Sequence, residues 1–229
     1  MTEMRPKQNA GWGMPSRTFN RWPALLAIIA AMALYVTLPS HLYYGPVWLL
    51  PLVESALFIA LLTARKMEDE GQEWQRGVAI SLIAAMNAAN IGSLILLIHS
   101  LVSSAAVHGH KVTALNLMTW SAQIWLTNVI VFGLWFWELD RGGPVARCLP
   151  HHRAPDFLFP QMTNPDAAPP DWAPSFFDYL FTSFTNAAAF SPTDTMPLSE
   201  WAKALFMIQA FTSLATAVLV IARIANILP

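Results

Sequence analysis

Residues 174–203 read PSFFDYLFTSFTNAAAFSPTDTMPLSEWAK, and the order of properties along them decides how the chain is to be folded. The first half is aromatic and apolar, with Ser, Thr and Asn scattered through it. The second half is turn-rich, carrying Pro192, Asp194 and Pro197, and an apolar run over residues 201–228 follows directly. A short helix, a polar turn and a long apolar helix in that order describe a segment that dips into a membrane before a span. Irregular backbone survives at membrane depth only where it is buried in protein or lines water. The hydroxyls and carbonyls of Ser191, Thr193, Asp194 and Thr195 would then stand where they can replace an ion's hydration shell. A plainer reading of the same residues is a surface turn, with Ser199 or Thr195, then Pro197 and Glu200, opening the next helix.

Composition sets the class around this stretch. Hydrophobic residues make up 55% of the 229 and charged residues 12%, with a mean hydropathy of +0.43. No soluble core of this size buries that much apolar surface, so a bilayer must act as solvent. A net charge of −1 without a basic stripe excludes nucleic acid as a partner. The single cysteine, Cys148, excludes an internal disulfide framework. Residues 1–22 are polar and basic and read as an uncleaved start.

The expected fold is all-α, a polytopic membrane helix bundle. Residues 23–138 hold four spans, at 23–38, 47–64, 78–106 and 114–137; residues 139–173 form a Pro-rich connector; residues 174–229 hold the helix, turn and last span. Pro51 is expected to kink the second span. The charged stretch 65–77 reads as a solvated connector or a short surface helix, and 155–162 is apolar enough to lie against the membrane surface or a neighbouring helix. Residues 175–190 either re-enter or cross as a short sixth span.

Polar residues inside the apolar runs are the remaining candidates. On the last span Gln209, Thr212, Ser213, Thr216 and Arg223 share one helical face, as an aqueous pathway would need. The alternative is packing, because Ser and Thr are common where transmembrane helices touch. Glu54 is an intramembrane acid, either an ion or proton site or a neutral carboxyl bonded to Asn87 or Asn90, with His99 a further possible partner. His108 with His110, and His151 with His152, lack a third ligand at metal-site spacing, so neither a metal nor any other cofactor is expected. No enzyme motif occurs, and no span carries the regular Arg or Lys of a voltage sensor.

The stretch from Ala188 onward resembles the pore loop of the tetrameric potassium-channel superfamily, T-T-V-G-Y-G-D-x-x-P. Asp194 falls on the filter aspartate, Pro197 on the proline after it, and Lys203 on the basic residue that opens the inner helix. Ser191, Pro192 and Thr193 stand where that family has G-Y-G. The resemblance implies a homotetramer conducting monovalent cations. The missing glycines imply weak selectivity, since Pro192 has no amide hydrogen and a fixed φ. A non-conducting scaffold or subunit is the expectation from another class, and a bacterial inner membrane is the expected location.

Two expectations about orientation conflict. The cationic flanks, including Arg21, Arg76, Arg141, Arg147 and Arg153, place the N-terminus and connector in the cytoplasm by the positive-inside rule. The channel resemblance wants the connector outside. A full crossing by residues 175–190 would reconcile them, leaving the turn outside and both termini inside.

Overall fold

One helix, Ala114–Leu139 (α4), packs against four of the other helices, and the molecule is built around it. The computed structural model describes residues 20–43, 48–64, 71–102, 113–148, 153–164, 169, 172–188 and 194–225. It is mostly helical, the architecture of an all-α membrane bundle. Among the described residues, Trp74–Ser100, Leu115–Gly142 and Glu200–Val218 are long and apolar enough to cross a membrane, and Trp22–Val36 is a shorter apolar helix.

Helix α1, Trp22–Val36, begins where Asn20 accepts the Trp22 N–H and Pro23 fits the first turn. It ends where the Thr37 hydroxyl turns back onto the Ala33 and Leu34 carbonyls and Pro39 forbids continuation. Its Ala24, Leu25, Ile28 and Ala31 are buried. Helix α2, Leu49–Ala64, starts two residues before Pro51, so that proline sits in the first turn, where no N–H is needed, and the expected kink is not required. Helix α3, Gly71–Val102, starts inside the stretch read as a solvated connector or a short surface helix, and runs on from it into the third apolar run. Charged residues near its start do not oppose helix once Trp74, Val78 and Ala79 continue the apolar run.

Helix α4 is capped by the Thr113 hydroxyl, which accepts the Asn116 N–H at 3.2 Å. It stops at a reversal made by Arg141, Gly142 and Gly143, with φ of 54°, 87° and 105°. Left-handed backbone suits the two glycines, and a Cβ on Gly143 would lie 3.0 Å from the Glu138 carbonyl oxygen. The connector then holds strand β1 (Phe157–Leu158) and a single turn, α5 (Pro160–Thr163), so part of it is ordered, against the expectation of an irregular link. Phe157, Phe159 and Met162 are buried, packing among Phe136, Tyr179, Trp201 and Phe206 rather than on the membrane surface.

Helix α6, Phe176–Ala188, follows, then strand β2 (Met196–Pro197) and helix α7 (Glu200–Ala225). The depth of α6 is fixed at both ends. The Tyr179 hydroxyl donates to Asp140 at the C-terminal end of α4 (2.6 Å), and the Ala187 carbonyl lies 3.4 Å from Trp125 Nε1, near the middle of α4. At about 1.5 Å per residue its 13 residues run about 20 Å, against a hydrocarbon core of about 30 Å.

The chain then comes back to where it started. Strand β2 pairs antiparallel with β1, Phe157 opposite Pro197 and Leu158 opposite Met196, and the Leu198 N–H donates to the Asp156 carbonyl at 2.8 Å. Helix α7 therefore begins at the end of the bundle where α4 stopped. The start of α6 and the residues from Met196 onward thus lie at one end of the bundle, a path that differs from the full crossing expected of residues 175–190.

A second cluster, around Tyr35, Leu38, Leu42, Leu94, Leu117 and Ile124, closes the opposite end. There the Tyr43 hydroxyl donates to the Tyr35 carbonyl (2.6 Å), Ser93 to the Leu42 carbonyl (2.9 Å) and Gln123 to Thr37 (2.9 Å).

Candidate functional site

Two polar networks hold α6, one at the end of the bundle where it begins, the mouth, and one midway along it. At the mouth, Asp140 is fully buried. Its Oδ2 accepts from Tyr179 (2.6 Å) and its Oδ1 from the Asp156 N–H (2.9 Å). Asp156 answers, its Oδ2 accepting the Arg141 N–H (2.8 Å) and its Oδ1 the Trp201 indole N–H (3.0 Å). Four elements, the end of α4, the connector, α6 and α7, are tied through two carboxylates.

Buried arginines complete this knot. Arg147 donates to the Trp137 carbonyl (2.7 Å) and the Asp140 carbonyl (3.1 Å), with its guanidinium 5.2 Å from the centre of the Tyr179 ring. Arg141 Nε lies 3.5 Å from Asp140 Oδ2. Asp140, Arg141 and Arg147 are each nearly inaccessible, so truncating one leaves an uncompensated charge, worth about 3–5 kcal/mol. The non-glycine left-handed conformation of Arg141, costing about 1–2 kcal/mol, is offset by the bond its own N–H makes to Asp156.

At mid-depth the contacts are neutral. Ser183 donates to the Val129 carbonyl on α4 (2.6 Å); Gln209 Nε2 reaches the Ser183 Oγ (2.6 Å) and carbonyl (2.9 Å). Asn186 donates to Gln209 Oε1 (2.8 Å) and the Phe206 carbonyl (3.1 Å), and Asn128 Nδ2 to Ser213 Oγ (2.8 Å). Helix α6 is thereby bonded to α4 on one flank and α7 on the other. Gly133 allows the tightest approach, since a Cβ there would meet Leu180 Cα at 3.2 Å.

The residues expected to carry function fall into three groups. Ser191 and Thr193 lie outside the described residues, as do His108, His110, His151 and His152. Asp194 is exposed at the mouth, whereas Thr195 is buried and its hydroxyl accepts from Thr182 at 3.1 Å. Gln209, Thr212 and Thr216 share a face as their spacing required, but that face is 0–6% exposed. Thr212 and Thr216 donate back to the Ile208 and Thr212 carbonyls (2.8 Å each), and Gln209 serves the network above. Assembly with other copies only removes exposure, so a stripe buried within one chain does not line water in this conformation. Within the chain these three side chains are engaged in packing and hydrogen bonds.

Glu54 and Asn90 are buried and Asn87 half-buried. Among the described residues, Glu54 Oε2, Asn87 Oδ1 and Asn90 Nδ2 have no hydrogen-bond partner, so the expected carboxyl–carboxamide bond is not formed through these atoms. His99 is exposed. Among the described residues no three potential metal ligands cluster.

Sequence reasoning missed Asp140, Asp156, Tyr179 and Arg147. A signal existed in ELDRGG, residues 138–143, where two acids and an arginine stand before paired glycines at the end of an apolar run. Compared with models of known families, with curated proteins and with solved structures, the chain matches none.

Proposed function

We propose that this protein is a channel-like membrane protein that passes monovalent cations with weak selectivity, through a narrow part formed by the residues between α6 and Asp194 in four copies of the chain. One observation carries the reading. A helix of about two-thirds the thickness of a hydrocarbon core runs inward from one end of the bundle, and the chain returns to that end before the next apolar helix. The connecting residues 189–193 include Ser191 and Thr193 and lead to the exposed Asp194. A dip of this kind must be surrounded by protein or water. Within one chain α4 and α7 cover two flanks of α6, while Phe177, Phe181 and Phe184 remain 72%, 50% and 48% exposed along another. Further copies would cover them, and a closed four-fold ring is the arrangement the pore-loop resemblance implies.

The mouth gathers Arg21, Arg76, Arg141, Arg147 and Arg153, so the charge rule puts it in the cytoplasm. The dip then enters from the cytoplasmic side, inverted relative to the resembled family. The membrane proposed is a bacterial inner membrane.

Purified protein in liposomes is expected to pass both sodium and potassium. Discrimination above about tenfold, roughly 1.4 kcal/mol, would contradict the weak filter. Absence of flux from a protein that is folded and tetrameric would favour a second reading, a non-conducting scaffold or subunit. That reading draws support from the inward, fully bonded face of α7, which gives Gln209, Thr212 and Thr216 a packing role.

A further inference from the structure

A cavity of about 190 Å³ lies apart from the re-entrant segment, between the first turns of α1 and α3, the end of α4 and residues 142–146. Its two halves differ in chemistry. Arg21, Gln75, Arg76 and Glu138 line the part near the mouth end of the bundle, while Leu25, Ile28, Ala79 and Ile83 line the part that runs along α1 and α3 into the membrane. Arg21 donates to Gln75 at 3.3 Å, which holds α1 and α3 together across the opening. Arg76 Nε is buried with no hydrogen-bond partner among the described residues. It lies 3.7 Å from where a Cβ on Gly143 would stand, so the bare glycine keeps room beside the guanidinium.

Charge and level narrow the occupant. Two arginines line the cavity against one acid, and Arg147 is a further positive neighbour of Glu138. The site is therefore net cationic even with Glu138 ionised. Trp22 and Trp74, at the starts of the same two helices, are 66% and 52% exposed, as expected of side chains at the headgroup level of a bilayer. A cationic recess between helices at that level, continuing into an apolar groove, matches an anionic headgroup above an acyl chain.

We infer that this cavity binds the phosphate headgroup of an anionic phospholipid, with Arg76 and Arg21 on the phosphate and an acyl chain along Leu25, Ile28 and Ala79. The volume suits a headgroup and the first carbons of one acyl chain, the rest of the lipid lying outside between α1 and α3. The inference stands whether or not the re-entrant segment conducts ions.

The test uses the full chain in detergent, with phosphatidylglycerol, phosphatidylcholine and inorganic phosphate as probes. Thermal unfolding and native mass spectrometry are the readouts. Phosphatidylglycerol is expected to raise the melting midpoint and remain bound at one copy per chain; phosphatidylcholine and inorganic phosphate are not. Arg76→Gln should weaken phosphatidylglycerol binding about fivefold, the effect of one cation near an anionic headgroup, and Arg76→Lys should restore most of it. Ala79→Leu fills the groove with both arginines intact, and should lower retention of phosphatidylglycerol. If Arg76→Gln fails to fold, Ala79→Leu and the comparison among probes decide. Equal stabilisation by phosphatidylcholine overturns the inference, as does an Arg76→Gln variant that retains phosphatidylglycerol like the parent. Equal stabilisation by inorganic phosphate overturns it in favour of a soluble anion.

Discussion

Asp178 and Asp194 flank the re-entrant segment, and their surroundings assign them different work. Asp178 Oδ2 accepts both the Ser175 N–H and the Ser175 hydroxyl at 2.7 Å, closing the first turn of α6. Asp178→Asn should therefore cost about 0.5–1 kcal/mol of stability, read as a lower melting midpoint, and leave ion flux per folded protein unchanged. Asp194 is exposed, and on the channel reading proposed above its carboxylate would concentrate cations there without holding the fold. Asp194→Asn should reduce cation flux by about tenfold at low salt and by less at high salt, with little change in melting. Liposome flux at two salt concentrations, beside a melting curve, separates the two. Flux from Asp194→Asn equal to that of the parent would remove Asp194 from the pathway.

At the scale of elements, the close approach of α4 and α6 is the most sensitive joint. Gly133→Ala places a methyl 3.2 Å from Leu180 Cα, a backbone atom that moves only if the helix moves. A cost of about 1–3 kcal/mol is expected, measured as a drop in melting midpoint, and Leu180→Ala should not relieve it in full because the clash includes main chain. Recovery to the parent value in the double variant would show that only the Leu180 side chain resists.

The elements differ in how far the sequence foretold them. The helices were legible because their apolar runs exceed any turn signal, and the helix, turn, helix order was legible from Asp194, Pro197 and the apolar run behind them. What escaped was which way faces point. Spacing puts Gln209, Thr212 and Thr216 on one side of α7, yet only Ser183, Asn186 and Asn128, remote in sequence, decide that this side faces inward. The return of the chain to its starting end was equally hidden, since it rests on two strands of two residues each and on the Asp140 and Asp156 carboxylates. Arg141 and Arg147 read as solvated flank charges and are in fact interior.

For the whole molecule, the orientation of the mouth is open to direct chemistry. Cys148 is half-buried, its thiol donates to the Pro144 carbonyl at 3.5 Å, and burial raises its pKa, with Arg147 opposing. It is a slow target for maleimide at neutral pH. Exposed positions on either side of the dip serve better: Ala154→Cys in the connector and Met196→Cys in β2, each in a Cys148→Ser background. Both should resist a membrane-impermeant maleimide in intact cells and react after permeabilisation. Labelling of both from outside would reverse the orientation, and labelling of one alone would refute the shared end.

The pairing of β1 with β2 also bears on how the chain is made. Asp156 and Phe157 emerge from the ribosome well before Pro197 and Trp201, the residues that bond or pair with them. Until those arrive, the connector lacks its strand partner and Asp156 lacks the indole. The contacts of α6 with α4, Tyr179 to Asp140 and Ser183 to the Val129 carbonyl among them, then have to hold that helix at the translocon without α7. Biogenesis of the dip is thereby coupled to insertion of the last span, and a nascent chain stalled before α7 is a substrate for membrane quality control.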